Sequence, residues 1–397
     1  MRVRFNPFGA EFRRDPYPLY QRLRENQPVH RTLGMWVLTR HADVCEVLVD
    51  RGFSAGLIPD LVSQQARRVS GRDVSRIERL GRASLVFTDN PEHARLRGLV
   101  NRVFTTQAVA ALRPLVEKVA GDLAERARER GDIDAIADFA APLPVAVLCE
   151  WMALPDALRD RVGGWTHDVR FLLEPGLMKG EDFTRVAAAV ETFAQALEEV
   201  AALRRERPGE DLISRLLAAR TGGGDRLTDE EVVFVCIMCF VAGTETTTAL
   251  IGNGLLALLQ HGIRPDPARC AVTETLRYNS PLQLTKRLAT RDVEIGGATI
   301  REGDQVLLCL GAANRDPGVF PDPDRFDITR NTEGHLAFGH GMHGCLGGVL
   351  AQLQAEAAFT SLYRFRIALR DEPLDWQDHS FIIRGLTRLP VTIGSAQ

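Results

Sequence analysis

Ten residues near the C-terminus, Phe338-Gly339-His340-Gly341-Met342-His343-Gly344-Cys345-Leu346-Gly347, combine the residue types that a ligating thiolate needs. A thiol ionises at neutral pH only where partial positive charge favours the anion, and a helix N-terminus with nearby backbone N–H groups supplies it. Gly339, Gly341, Gly344 and Gly347 have no Cβ, so a large flat ligand can lie close against the backbone. A second reactive set is Ala242-Gly243-Thr244-Glu245-Thr246-Thr247-Thr248, hydroxyls and a carboxylate embedded in an apolar run. Such groups are costly to bury without partners. Threonines that bond back to the preceding turn bend a helix, and the same distortion opens a groove for a small ligand.

These groups need long helices to hold them. Thr228-Asp229-Glu230-Glu231 is a capping box, and it opens a helical pattern reaching about Gln260, roughly 50 Å long. Its first half, Val232 to Ala242, is apolar all round, which predicts a path through the protein's centre. The Leu-, Ala- and Gln-rich stretch from Leu346 to about Tyr363 predicts a helix directly behind the cysteine. Helical patterns also cover roughly 92–104, 107–130, 143–152, 155–172, 182–204 and 210–219, after an irregular or partly helical stretch from Phe53 to Phe87. Met35 to Thr39, Val293 to Ile300 around a Gly-Gly turn, and Gln305 to Leu310 favour strands. The expected fold is mainly α with a minor β part.

No linker composition or fixed-period repeat divides the 397 residues, so one domain over 1–397 is expected. The net charge of −3 argues against a general nucleic-acid binder. No signal-peptide core or membrane anchor stands out, and seven cysteines without a framework of spacings suit a reducing, cytoplasmic setting. Cys45, Cys149, Cys236, Cys239, Cys270 and Cys309 lie in apolar surroundings and read as small core residues.

The pattern Phe-Gly-x-Gly-x-His-x-Cys-x-Gly resembles the haem-binding loop of the cytochrome P450 family, soluble bacterial type, and the resemblance runs from Trp36 to the cysteine loop. It implies the P450 fold, with haem b between a long central distal helix and a proximal cysteine loop and helix. Cys345 is then the iron ligand, with Phe338, Gly339, Gly347 and Ala242 against the cofactor. His93 and Arg97, one helical turn apart, match the family's propionate contacts, and Arg287 and His343 match two more. Ala242 to Thr246 resembles the family's Ala-Gly-x-(Asp/Glu)-Thr element, which makes Thr246 the hydroxyl on the oxygen side and Glu245 the acid that relays protons to it. Glu274 and Arg277 match the Glu-x-x-Arg signature, with Arg325 as their expected third partner, all three supporting the thiolate loop structurally.

The implied activity is insertion of one atom of O2 into a C–H or C=C bond of a mainly hydrophobic organic molecule, an intermediate of polyketide- or peptide-derived secondary metabolism. Electrons would come from NAD(P)H through a separate ferredoxin and ferredoxin reductase, and a monomer without membrane partners is expected. The loop is shared with phenol-coupling oxidases and peroxygenases, and with non-catalytic haem proteins that recruit other enzymes; the intact Glu245-Thr246 pair favours the oxygen route. By the same resemblance, Phe87, Leu172, Met238, Leu282, Leu284, Phe381 and Ile382 line the substrate pocket. Arg67, Arg68, Arg72, Arg76, Arg79 and Arg82 crowd one segment, as a solvated face or as the recognition site of an anionic substrate or of an acyl or peptidyl carrier protein. Two departures fall on the expected redox-partner side: Pro265 and Pro267 disfavour the helix usual between His261 and Glu274, and Gln352 stands where Arg is common. Arg95 and Arg102 are candidate ferredoxin contacts there.

Overall fold

The computed structural model describes residues 3–69 and 75–396. The chain forms two units: Met1–Ser54, Pro114–Pro144 and Glu245–Gln397 make the first, Ala55–Arg113 and Val145–Thr244 the second.

All strands among the described residues belong to the first unit: β1 (Val29–Thr32), β2 (Met35–Leu38), β3 (Phe53–Ser54), β4 (Asp132–Asp134), β5 (Leu284–Ala289), β6 (Val293–Ile295), β7 (Ala298–Ile300), β8 (Gln305–Cys309), β9 (Phe365–Leu369), β10 (Asp375–Trp376), β11 (Leu386–Arg388) and β12 (Pro390–Ala396). The main sheet runs β1-β2-β8-β5-β3, with β2 and β8 parallel from Met35↔Gln305 to Leu38↔Leu308 and the other pairs antiparallel. Successive side chains of a strand leave opposite faces. Accordingly Val306 and Leu308 join an apolar cluster with Leu38, Ile295 and Ile300, while Leu307 and Cys309 join one with Phe5, Phe12 and Tyr20. Both faces are covered, which is why Val306-Leu307-Leu308-Cys309 is apolar without alternation. Gly296 and Gly297 take φ of +56° and +81°, the values a two-residue hairpin turn between β6 and β7 requires.

The described residues of the second unit form helices and no strands. The Asp156–Val169 and Gly180–Glu206 helices pack by stacking Trp165 on Phe193, ring centroids 5.0 Å apart. Leu57–Val69 and Ser75–Arg82 make the expected partly irregular stretch largely helical. The pattern at 107–130 resolves into Thr106–Ala110 and Arg113–Arg130, because Thr105 caps the first and Pro114, lacking an N–H, belongs in the first turn of the second.

The longest helix, Asp229–His261, has 33 residues. Its capping box is present as expected: Thr228 Oγ1 accepts the Glu231 N–H at 3.2 Å, and Glu231 Oε2 accepts the Thr228 N–H at 2.7 Å. By length and composition it could cross a membrane, yet 56% of its most apolar stretch is buried inside the protein, as a core helix requires. Within the first unit it lies tight against the Gly348–Leu362 helix; a Cβ on Gly254 would fall 2.4 Å from Phe359 Cζ. No helix forms between His261 and Ala268, where Pro267 caps the Ala268–Tyr278 helix.

Candidate active site

In the first unit, the cysteine loop is built by its own backbone. The Cys345 N–H donates to the Phe338 carbonyl at 2.8 Å, the Gly339 N–H to the Leu336 carbonyl at 2.9 Å, and the Gly344 N–H to the Gly341 carbonyl at 3.0 Å. Gly339 and Gly341 have φ of +69° and +70°, and a Cβ on Gly341 would meet the Leu48 carbonyl oxygen at 3.0 Å. Gly347 differs: a Cβ there would touch no protein atom within 4 Å, so the chain's own packing sets no demand for glycine. Cys345 is exposed, whereas Cys149, Cys236 and Cys309 are buried and Cys45, Cys239 and Cys270 partly so. Burial pushes the Cys149 thiol up to about 11 and raises Cys236 and Cys309 further from ionisation. Of the seven, Cys345 alone is an exposed thiol placed just before a helix N-terminus.

Arg287 is buried on β5, its Nη1 donating to the Lys286 carbonyl at 2.8 Å and to Thr285 Oγ1 at 3.3 Å. His343 closes the short turn Gly341–His343 and is half-buried. Glu245 and Thr246 are half-buried on the long helix. Thr244 Oγ1 bonds back to the Phe240 carbonyl at 2.8 Å, the back-bonding expected of this cluster, whereas Thr248 Oγ1 donates outside its helix, to the Ala140 carbonyl at 3.3 Å. Between Val232 and Leu258 this helix is buried except at Met238, Cys239, Ala242, Gly243, Glu245, Thr246 and Thr248, with Ala242 most open.

Glu245 has a partner that the sequence did not announce. His379 Nε2 lies 3.0 Å from its Oε1, the side chains being 28% and 19% exposed. A single histidine in an irregular stretch carries no spacing signal. Glu274 and Arg277 form a fully buried bidentate pair at 2.7 Å. The third cation is not Arg325, whose side chain is 72% exposed and which contributes its backbone carbonyl to Arg277 at 3.2 Å. Arg330 takes that place, its Nε 3.4 Å from Glu274 Oε1. The loop after Pro323 turns the Arg325 side chain outward and brings the Asp327 N–H to Glu274 Oε1 at 2.9 Å.

In the second unit, His93 and Arg97 share one face of the Glu92–Val100 helix. Burial, helped by the Arg97 charge, lowers the His93 pKa. Phe87, Leu172 and Met238 do line one recess, with Val62, Leu80 and Val241, about 360 Å3 of empty space including its mouth. Leu284 and Phe381 instead fill the first unit's apolar cluster with Phe5 and Phe12, Ile382 packs against it, and Leu282 packs on the other face of the sheet. Their apolarity serves the core, and sequence cannot separate core from pocket wall at such positions. Arg76 pairs with Glu191 at 2.6 Å and with Glu198, and Arg79 with Glu230 at 2.7 Å. These two arginines tie helices together; Arg82 is exposed, and Arg72 and the side chains of Arg67 and Arg68 lie outside the described residues. Arg95 is likewise bound, to Glu92, Asp225 and Glu231.

A largely helical chain with a small mixed sheet and an exposed thiol on a glycine turn ahead of a helix defines a class that comparison with known proteins makes explicit. The family described as Cytochrome P450 matches residues 169–262 and 268–390. Cytochrome P450 107B1 of Saccharopolyspora erythraea is 39% identical over 98% of this chain and 97% of its own length. The 6-deoxyerythronolide B hydroxylase of the same organism is 35% identical over 96% of this chain and 97% of its own. Among solved structures, P450BioI in complex with a hexadec-9Z-enoic acid ligated acyl carrier protein superposes with a TM-score of 0.87 at 33% identity, over 97% of this chain and 99% of that one. The chain belongs to the cytochrome P450 family and is a monooxygenase of it.

The family implies haem, and the residues present fit one. An exposed thiol on a turn with two left-handed glycines and a Gly347 whose missing Cβ no protein contact explains are what a flat iron-ligated ring requires.

Proposed function

We propose that the protein inserts one atom of O2 into a C–H or C=C bond of a mainly hydrophobic secondary-metabolite intermediate, with Cys345 as iron ligand. The observation that carries this reading is the exposed Cys345 thiol on its glycine turn, beside six cysteines that are buried or partly buried. Haem b, when bound through a thiolate, supplies O2 activation, because the thiolate donates electron density that favours O–O cleavage. The chain's own residues do the rest. By the family resemblance, His343, Arg287, His93 and Arg97 would hold the propionates by hydrogen bonds and charge. By the same resemblance, Phe338, Gly339, Gly347 and Ala242 would lie against the cofactor. Glu245 moves protons inward and Thr246 hands them on at its hydroxyl, while the apolar helix around them excludes water.

The recess at Phe87, Leu172 and Met238 supports an apolar substrate. A carrier-bound substrate has a parallel in P450BioI with its acyl carrier protein, and polyketide-type chemistry one in the 6-deoxyerythronolide B hydroxylase. Electrons come from NAD(P)H through a ferredoxin and its reductase, which places the enzyme in the cytoplasm beside them.

The test is the absorption spectrum of the reduced protein under carbon monoxide. The wild type should show the strongly red-shifted Soret band of thiolate-ligated haem, and Cys345→Ser should lose it; identical spectra would remove Cys345 as ligand.

A further inference from the structure

We propose that His379 is the positioning residue of the acid Glu245: it holds the carboxylate and passes protons to it from solvent. The inference rests on the reading above, in which Glu245 relays protons. Its basis is the 3.0 Å contact between His379 Nε2 and Glu245 Oε1. Imidazole is the side chain that gains and loses a proton near neutral pH. At 28% and 19% exposure the pair is screened less than a surface ion pair yet within reach of water at its edge.

The turn that presents His379 is held in place. Ser380 Oγ accepts the Ile383 N–H at 3.0 Å, the Gln377 N–H donates to the Gly385 carbonyl at 3.0 Å, and Gln377 Nε2 donates to the Ile383 carbonyl. Arg13 Nη1 donates to the Asp378 carbonyl at 2.9 Å, and Leu282 bridges to Ile383. An imidazole on a stapled turn reaches its partner at little entropic cost, which a free loop would not allow. The extra methylene of Glu over the family's commoner Asp lengthens the reach of the acid toward it. In the transfer, imidazolium gives its Nε2 proton to Glu245 Oε1, leaving neutral imidazole and a carboxyl group; once the carboxyl has passed that proton on, a hydronium ion from solvent returns one to Nε2 and leaves water. The proton count closes, and no electron moves.

A contact that served only to anchor the turn would affect stability and nothing else. The experiment therefore compares wild type, His379→Gln and Glu245→Gln as holoproteins with unchanged carbon monoxide spectra. No substrate is added; NADPH with a plant-type ferredoxin and its reductase drives oxygen consumption, and the ratio of NADPH to O2 separates peroxide from water. His379→Gln should slow oxygen consumption about tenfold or more, raise its solvent deuterium isotope effect and change the NADPH-to-O2 ratio, as Glu245→Gln does. Independently, the His379 Nε2 nitrogen resonance should move in Glu245→Gln at constant pH. If Glu245→Gln impairs turnover and His379→Gln does not, the role of His379 is overturned and that of Glu245 stands. If Glu245→Gln is harmless, the relay reading fails and this inference with it. An unmoved resonance would show that the pair is not formed in solution, which also overturns it.

Discussion

His335 shows how one buried ring sets a pH dependence. Burial, aided by the Arg277 charge, brings its pKa from 6.5 down to about 4, and its Nδ1 accepts the Ala337 N–H at 3.3 Å. Between those values the unfolded chain binds a proton that the folded ring refuses, so stability should fall as pH drops from 6.5 toward 4. His335→Asn, which keeps an acceptor, should flatten that window in urea midpoints measured between pH 7 and 4. The Glu274 network gives a second residue-level test. Arg330→Ala leaves a buried carboxylate less neutralised and should cost about 1–3 kcal/mol, whereas Arg325→Ala, a surface change, should stay within about 0.5 kcal/mol, by denaturant unfolding. At this scale the resemblance to the family's Glu-x-x-Arg signature identified the Glu274-Arg277 pair but chose Arg325 over Arg330, because both stand in an irregular stretch where no periodicity says which side chain turns inward. His379 was invisible for the same reason, its partner standing 134 residues away.

Helices were the most legible elements, since capping boxes and apolar periodicity are local. The long helix begins and ends within a residue or so of its expectation. The strands after Phe365 were not legible: β12 is completed by pairing with β4 and β9, partners far apart in sequence. The long helix's glycines separate two roles. A Cβ on Gly254 would lie 2.4 Å from Phe359 Cζ and 2.9 Å from Thr275 Oγ1, so Gly254→Ala should destabilise by about 1–3 kcal/mol despite better helix propensity. Gly243 has only an ordinary 3.5 Å contact with Leu148 Cδ1 in prospect, and Gly243→Ala should leave stability unchanged or raise it by up to about 1 kcal/mol. Thermal or urea unfolding of the two variants in parallel checks the contrast; equal effects would show that the close approach at Gly254 is not tight.

Across the whole molecule, composition and motif order were enough for fold class and family, because they depend on many positions at once; the substrate depends on a few apolar side chains that look the same in a core and in a pocket. Leu284 and Phe381 went to the core and Phe87 to the recess. Haem should bind the folded state only, so haem-free protein should melt lower; a ligand at a hundred times its Kd adds about 2.7 kcal/mol. Calorimetry before and after haem extraction measures it, and an unchanged Tm would contradict a cofactor held within the fold. The parallel register of Met35–Leu38 with Gln305–Leu308 also sets a timetable during synthesis. At about 5–20 residues per second, β2 leaves the ribosome on the order of ten to fifty seconds before its partner. Every segment of the helical second unit is made in that interval. The nascent N-terminal strands must therefore wait, with bare edges, for the β8 strand, and a ribosome stalled before residue 305 would hold a chain open to aggregation and in need of chaperones.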